Sequence, residues 1–289
     1  MSWRTVVISK RSKLDLKMGY MVIRGEETKR IFLDEIAVLM IENPAVSLTG
    51  CLLEELTAKK IRVIFCDSKR SPMAELSPYH GSHDMTKKLR QQLGWTDEIK
   101  GAVWSTIIAE KISKQAEHLA ERDKNREAEL LESYIPQIEF QDETNREGHA
   151  AKVYFNGLFG MEFTRRGNNP VNAALDYGYS ILLSAFNREI CAYGYLTDLG
   201  IHHDNVFNHY NLSSDLMEPF RILVDMKVYD MMPKELSKEV RYKLINTLND
   251  YVEISHSSQT VLNAIRVYLK SAFDALNDND PAKINFYKL

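Results

Sequence analysis

Three histidines fall close together in one short stretch: His202 and His203, within Gly200-Ile201-His202-His203-Asp204-Asn205, and His209 just beyond. Adjacent side chains on a regular backbone point in different directions, so at most one of His202 and His203 naturally faces a given site. Twelve residues after His203 comes Asp215, and three after that Glu218, in Ser214-Asp215-Leu216-Met217-Glu218-Pro219-Phe220-Arg221. If Ser213 or Ser214 caps a helix there, the two acids stand at i and i+3, on one face and about 5 to 6 Å apart at Cβ. The plain alternative is a pair of first-turn acids favoured by the helix dipole, with Pro219 either in the first turn or bending the helix. A further acid, Glu147, lies upstream in Arg146-Glu147-Gly148-His149-Ala150-Ala151-Lys152-Val153-Tyr154-Phe155. The glycine and two alanines make one side of that helix small, which lets a backbone or a ligand approach closely. Joined to His203 and Glu218, Glu147 would complete a set of two carboxylates and one imidazole. That set suits Mg²⁺ or, because of its nitrogen ligand, Mn²⁺. A site of this kind keeps positions open for water or substrate and polarises a phosphodiester under attack by a 3′-hydroxyl or water.

The elements that must hold these residues can be read from the pattern around them. The chain has 289 residues, 44% apolar and 27% charged, the balance of a globular protein long enough for about two domains. Its 13 glycines and 8 prolines favour long helices over turn-rich β architecture. Apolar runs such as Ile36 to Ile41 fall far short of the ~20 residues that cross a bilayer, which excludes a membrane span. The first ten residues lack the apolar stretch of a secretory signal, so a cytoplasmic location is expected. Cys51, Cys66 and Cys191 are widely spaced with no CxxC pair, which points to buried thiols and away from disulfides or structural zinc.

Residues 1–75 alternate in the manner of strands. The runs Val6 to Ile8, Leu14 with Leu16, Met21 to Ile23, Ile31-Phe32 and Ala37 to Ile41 predict a small sheet. Thr49 is placed to cap a short helix bearing Leu52, Leu53 and Leu56, and Arg62 to Cys66 returns as a buried strand. The serine- and proline-bearing stretch Ser68 to His83 has the composition of a linker. Beyond it the apolar period becomes 3.6. Ile99, Val103, Trp104, Ile107, Ile108 and Ile112 mark a long helix, and Ala128, Leu130 and Leu131 another. Asn169-Pro170 opens a third, and Leu216 to Met232, Glu235 to Asn249 and Gln259 to Leu276 predict more. The mixed charges of Glu117 to Glu129 read as a solvated helix face, and no internal repeat is present. The expected fold class is α+β. A β-rich domain spans residues 1–75, a linker 76–84, and an all-helical domain holding the chemistry 85–289.

The motif pieces occur in a telling order. Glu147-Gly-His-Ala-Ala-Lys-Val-Tyr is followed by Arg165-Arg166 leading to Asn169-Pro170-Val171-Asn172, then Gly194, Gly200-Ile-His-His and Asp215-Leu-Met-Glu-Pro-Phe-Arg. Together they resemble the CRISPR-associated integrase family, the "Cas one" endonuclease that inserts spacers into CRISPR arrays, with wording closest to the type II-A branch. The resemblance covers most of the chain. It implies that Glu147, His203 and Glu218 form a catalytic metal triad for Mg²⁺ or Mn²⁺, with Asp215 as the accompanying acid. It places Asn172 near the site and Lys152, Arg165, Arg166 and Arg221 where phosphate would be met. Lys152 stands where many relatives have arginine and gives up the bidentate fork. His202 occupies a place more often apolar, and the motif rather than the spacing selects His203 as the ligand.

The same resemblance implies a homodimer through the β domains and a 4:2 complex with a dimer of a small ferredoxin-like Cas subunit. The partners would be double-stranded prespacer DNA and CRISPR repeat and leader DNA, joined by transesterification. The effector nuclease and accessory adaptation subunits are candidate further partners. Taken alone, the net charge of −3 argues against nucleic acid. It averages a net +3 over residues 1–75 with a net −6 over the rest, and local basic strips suffice for phosphate binding. Two other readings use the same residues. One takes His203-Asp204, with His149 and Asp225, as an HD-type phosphohydrolase, and one makes every acid a cap or a solvated face. A plain metal-dependent nuclease would share the integrase's metal site.

Overall fold

The six residues Ile36 to Ile41 are all apolar and all buried, the pattern of a strand covered on both faces. They form a central strand of the first of two compact units, Met1–His83 and Asp84–Leu289. The computed structural model describes residues 4–68, 70, 72–76 and 84–288. In the first unit β1 (Arg4–Ile8), β5 (Ile36–Ile41) and β7 (Arg62–Cys66) run parallel, and β8 (Pro72–Leu76) closes that sheet antiparallel in the order β1-β5-β7-β8. A second sheet holds β2 (Lys13–Lys17), β3 (Tyr20–Arg24), β4 (Thr28–Phe32) and the short β6 (Ser47–Leu48), in the order β4-β3-β2-β6. The expected single sheet is therefore two. The polar, half-exposed β2 to β4 cannot join the buried parallel set without burying their charges. Helix α1 (Gly50–Ala58) starts at Thr49, whose hydroxyl accepts the Leu52 N–H at 3.4 Å, and Leu52 and Leu56 seat it on a core with Leu14, Met21, Leu33 and Leu39.

Two expectations for this unit are corrected. Strand β8 occupies part of the stretch read as linker, because Glu75 pairs with the buried Arg62 and its backbone completes the β7 ladder. Residues 77–83 of the expected linker lie outside the described residues. Cys51 is exposed and Cys191 half-buried, so only Cys66 is a buried thiol, and none of the three is in a disulfide. Cys51 stands in the first turn of α1 beside the buried Leu52, on the side of the helix turned to water.

The second unit consists of α2 (Met85–Leu93), α3 (Asp97–Glu121), α4 (Asn125–Tyr134), α5 (Arg146–Phe159), α6 (Pro170–Tyr193), α7 (Asn211–Leu216), α8 (Arg221–Met231), α9 (Lys238–Ile245) and α10 (Val261–Asp278). It is not all-helical. Strands β9 (Tyr251–Ile254) and β10 (Ser257–Thr260) form a hairpin, with Ser255 and His256 at positive φ making its turn. Pro170 stands at the first position of α6, and the Asn169 side chain accepts the Asn172 N–H at 2.9 Å. The mixed-charge stretch breaks at Arg122 to Lys124 into two helices, and one of its members, His118, is fully buried. The helix expected from Leu216 to Met232 is interrupted. Pro219 has no N–H to give, and Glu218–Phe220 form a 3₁₀ turn between α7 and α8. The helix expected from Glu235 to Asn249 shortens to α9, capped by Ser237 and followed by a 3₁₀ turn. No helix among the described residues is long and apolar enough to cross a membrane.

Candidate active site

Glu147 owes its position to a double cap. The N-terminus of α5 leaves backbone N–H groups without helical partners. The Asp142 carboxylate accepts those of Arg146 and Glu147 at 2.8 and 2.9 Å, and the Asn145 side chain accepts that of Gly148 at 3.2 Å. A Cβ at position 148 would lie 2.6 Å from Asn145 Oδ1. The glycine expected to admit a ligand thus admits the cap, while Ala151 one turn on lines the pocket.

His203 is held by the opposite wall. The loop that follows α6 is pinned at its start by Gln92, whose amide bonds Leu196 and the Leu199 carbonyl, and farther on by Asn211, which donates to the Asp198 and Asn205 carbonyls. Between these anchors Asp215, fully buried on α7, accepts the N–H groups of Ile201, His202 and His203 at 2.7, 3.0 and 3.1 Å. Its Oδ1 also accepts the His203 Nδ1–H, which raises the His203 pKa and leaves Nε2 as the ring's free donor atom. Gly200 is required here, because a Cβ would stand 2.3 Å from the His203 carbonyl oxygen. The two histidines then part. His202 stacks on Trp104 with centroids 4.2 Å apart and planes within 5°, and His203 lines the pocket.

Ser213 and Ser214 lie inside α7 rather than at its cap, and the Ser213 hydroxyl donates to Asn187. Asp215 and Glu218 accordingly serve different partners. Glu218, 4% exposed, accepts Arg221 Nε at 2.8 Å on Oε1 and Lys111 Nζ at 2.5 Å on Oε2. The same ammonium reaches Glu147 Oε1 at 2.6 Å. Burial pushes the Glu218 carboxyl up, but Arg221 and Lys111 outweigh it and hold its pKa at about 2. Burial likewise pulls Lys111 down, and the two glutamates more than reverse it.

These groups wall a cavity of about 280 Å³. Arg165, whose guanidinium meets Asn172 and Asp176 at 2.5 Å each, and Arg221, 4.6 Å over the Tyr179 ring, give it a cationic side. Asn172 is buried with its amide committed to the Thr164 and Gly167 carbonyls, so it shapes the loop that carries Arg165. Lys152 and Arg166 are exposed and stand outside the cavity lining, as does His149, so the H-D arrangement is not assembled. The sequence reading missed Lys111, Gln115 and Tyr179. Lys111 was findable, because it lies on the apolar face of α3 beside Ile107, Ile108 and Ile112, where a lysine needs a buried partner.

Among the described residues no three His, Cys, Asp or Glu side chains close around one metal position. The reason is visible, since a lysine ammonium stands where the two carboxylates meet. That convergence on one compact cation, with His203 Nε2 unengaged in the same cavity, fits a hard divalent ion of the Mg²⁺ or Mn²⁺ kind.

A polar chain backs the pocket. Asp225, on its lining, accepts the Tyr179 hydroxyl and is bonded to Tyr154, whose oxygen meets His118 Nδ1 at 2.7 Å, and Arg122 Nε donates to His118 Nε2 at 3.3 Å. A protonated His118 would turn an N–H toward that guanidinium, and burial together with Arg122 lowers its pKa to about 4. Its stabilising contribution is complete above the unfolded value near 6.5 and is lost as pH falls through 4, on the order of 3 kcal/mol. Asp225, raised by burial to about 6, works oppositely over pH 6 to 4, so the informative quantity is a difference. His118→Gln should gain about 3 kcal/mol relative to the unsubstituted chain between pH 7.5 and 4, by urea unfolding. Parallel profiles would refute a neutral buried imidazole.

In outline the molecule is a two-part α+β protein whose helical unit holds an acid-and-imidazole pocket with a cationic wall. The family profile described as CRISPR associated protein Cas1 matches residues 5–258. The CRISPR-associated endonuclease Cas1 of Neisseria meningitidis serogroup C (strain 8013) is 32% identical over 290 residues, covering 98% of this chain and 95% of the relative. The chain therefore belongs to the Cas1 family. Among solved structures, a casposase bound to integration product superposes with a TM-score of 0.76 at 18% identity, over 97% of this chain and 92% of that one. A chain of a Cas6-RT-Cas1--Cas2 complex gives 0.77 at 18% identity, over 97% of this chain and 36% of that much longer one. At that identity these two likenesses concern the fold.

Proposed function

We propose that this protein is a metal-dependent DNA endonuclease and integrase of CRISPR adaptation. It joins prespacer 3′-hydroxyls to the ends of the CRISPR repeat by transesterification. The observation that carries the reading is the meeting of Glu147 and Glu218 on a single cation position, in a cavity also lined by His203, Arg165 and Arg221. Glu147, Glu218 and His203 Nε2 would hold Mg²⁺ or Mn²⁺, and the bound ion would supply Lewis acidity at the scissile phosphate. Arg165 and Arg221 meet non-bridging phosphate oxygens, and Asp215 keeps the His203 ring in the tautomer that offers Nε2. In the reaction the 3′-oxygen forms a new bond to phosphorus and loses its proton. The bond from that phosphorus to the 3′-oxygen of the nucleotide flanking the repeat breaks, and that oxygen is protonated. One phosphodiester replaces another, so no ATP is needed.

Membership in the Cas1 family supports the reading, as do a relative named an endonuclease and a neighbour solved on an integration product. The neighbour that contains Cas2 supports a second Cas subunit as partner. The proposed assembly is a 4:2 complex in which two homodimers of this chain flank a dimer of that subunit. The test uses a labelled duplex with free 3′-hydroxyls and a supercoiled plasmid carrying the repeat, with and without the small Cas subunit. Mn²⁺ or Mg²⁺ should yield joined product and EDTA none. Cleavage without joining under every condition would favour the plain nuclease, and joining in EDTA would overturn the metal requirement.

A further inference from the structure

Lys111 projects from α3 into the point where Glu147 and Glu218 converge, and the side chain is 10% exposed. Its ammonium makes ion pairs of 2.6 and 2.5 Å with carboxylates from two other segments of the unit. One turn farther along α3, Gln115 lines the same cavity at 2% exposure, and its Oε1 has no hydrogen-bond partner among the described residues. An orphaned buried carbonyl oxygen is costly to keep, so a structure that retains one calls for a use for it. Residues at i and i+4 on a helix are neighbours, which puts this vacant acceptor within the sweep of the flexible lysine stem.

We propose that Lys111 is a built-in counter-cation that a divalent ion must displace, and that Gln115 Oε1 is the acceptor to which its ammonium then moves. The inference rests on the metal reading given above and deepens it. In the metal-free protein the ammonium neutralises two carboxylates that would otherwise repel each other and pull apart. When the ion enters, the carboxylates pass from a monovalent partner to a divalent one, and the orphaned acceptor gains its hydrogen bond. The pair Lys111 and Gln115 thereby sets how much metal is needed to arm the site, with the lysine opposing entry and the glutamine assisting it.

Mn²⁺ binding to the purified full chain, followed by the electron paramagnetic resonance signal of free Mn²⁺, separates the two roles without any catalytic readout. Lys111→Met should bind Mn²⁺ at least tenfold more tightly than the unsubstituted chain, because nothing has to be displaced. Gln115→Leu should bind it several-fold more weakly, because the displaced ammonium has no acceptor. Should Lys111→Met fail to fold, Gln115→Leu decides alone. Saturable binding with unchanged or weaker affinity in Lys111→Met, or unchanged affinity in Gln115→Leu, would overturn the displacement while leaving the metal site standing. Absence of saturable binding in all three proteins would overturn both the metal reading and this inference.

Discussion

Glu147→Gln is expected to lower strand transfer by ~10³-fold or more while the protein stays folded. The substitution keeps the side chain's shape and removes its charge from the cation position it shares with Glu218. Its stability cost should be small, because Glu147 is 27% exposed and its backbone N–H remains tied to Asp142. Glu218→Gln should abolish the reaction as completely but also destabilise the fold. Glu218 is 4% exposed, and losing its charge leaves Lys111 and Arg221 short of an anion in the interior. Breaking a buried pair of that kind costs about 3–5 kcal/mol. His203→Ala should behave like Glu147→Gln in the joining assay, since His203 is 44% exposed and contributes little packing. Full strand transfer by either Glu147→Gln or His203→Ala, with the variants verified as folded, would remove the triad from the reaction.

Parts of this arrangement can be read directly from residue order, and the rest depends on long-range packing. Caps were legible because they are local: Thr49 and Asn169 each satisfy an N–H three residues on, and no tertiary contact is needed. The change from short β-prone runs to a 3.6 period near residue 84 was legible for the same reason. The division of the strands into two sheets was not. Strand β1 pairs with β5 across the whole of β2 to β4, a partnership no local pattern encodes. Strand β8 was hidden by its proline and flanking serines, although its glutamate answers the buried Arg62. At the site, the motif order singled out Glu147, His203, Asp215 and Glu218, but a shared helical face for the last two was the wrong geometry. The 3₁₀ turn at Pro219 sends Glu218 to Lys111 while Asp215 turns back to the histidine loop. Lys111 itself looked like any lysine on a charged helix until α5 and the Glu218 turn packed against it.

Asp215→Ala should cost on the order of 4 kcal/mol and eliminate joining, although Asp215 does not line the pocket. The carboxylate takes three successive backbone N–H groups and the His203 Nδ1–H, two donors on each oxygen. Three consecutive N–H groups aimed at one anion form a nest, and removing the anion strands them inside the protein. The informative companion is Asp215→Asn. An amide matches the carboxylate in size but offers one accepting oxygen, so its NH₂ must face either the Ile201 and His202 N–H groups or the His203 N–H. Asparagine should therefore recover little of the lost stability, whereas at an ordinary hydrogen-bonded aspartate it would recover most of it. The His203 ring gives a second readout, since without Asp215 nothing fixes the proton on Nδ1. The ¹⁵N shifts of the imidazole should move from a single tautomer toward a mixture in both variants. If Asp215→Asn retained both the parent stability and the single tautomer, the acid would be an ordinary buried hydrogen-bonding group. The loop's hold on His203 would then have to come from Gln92 and Asn211.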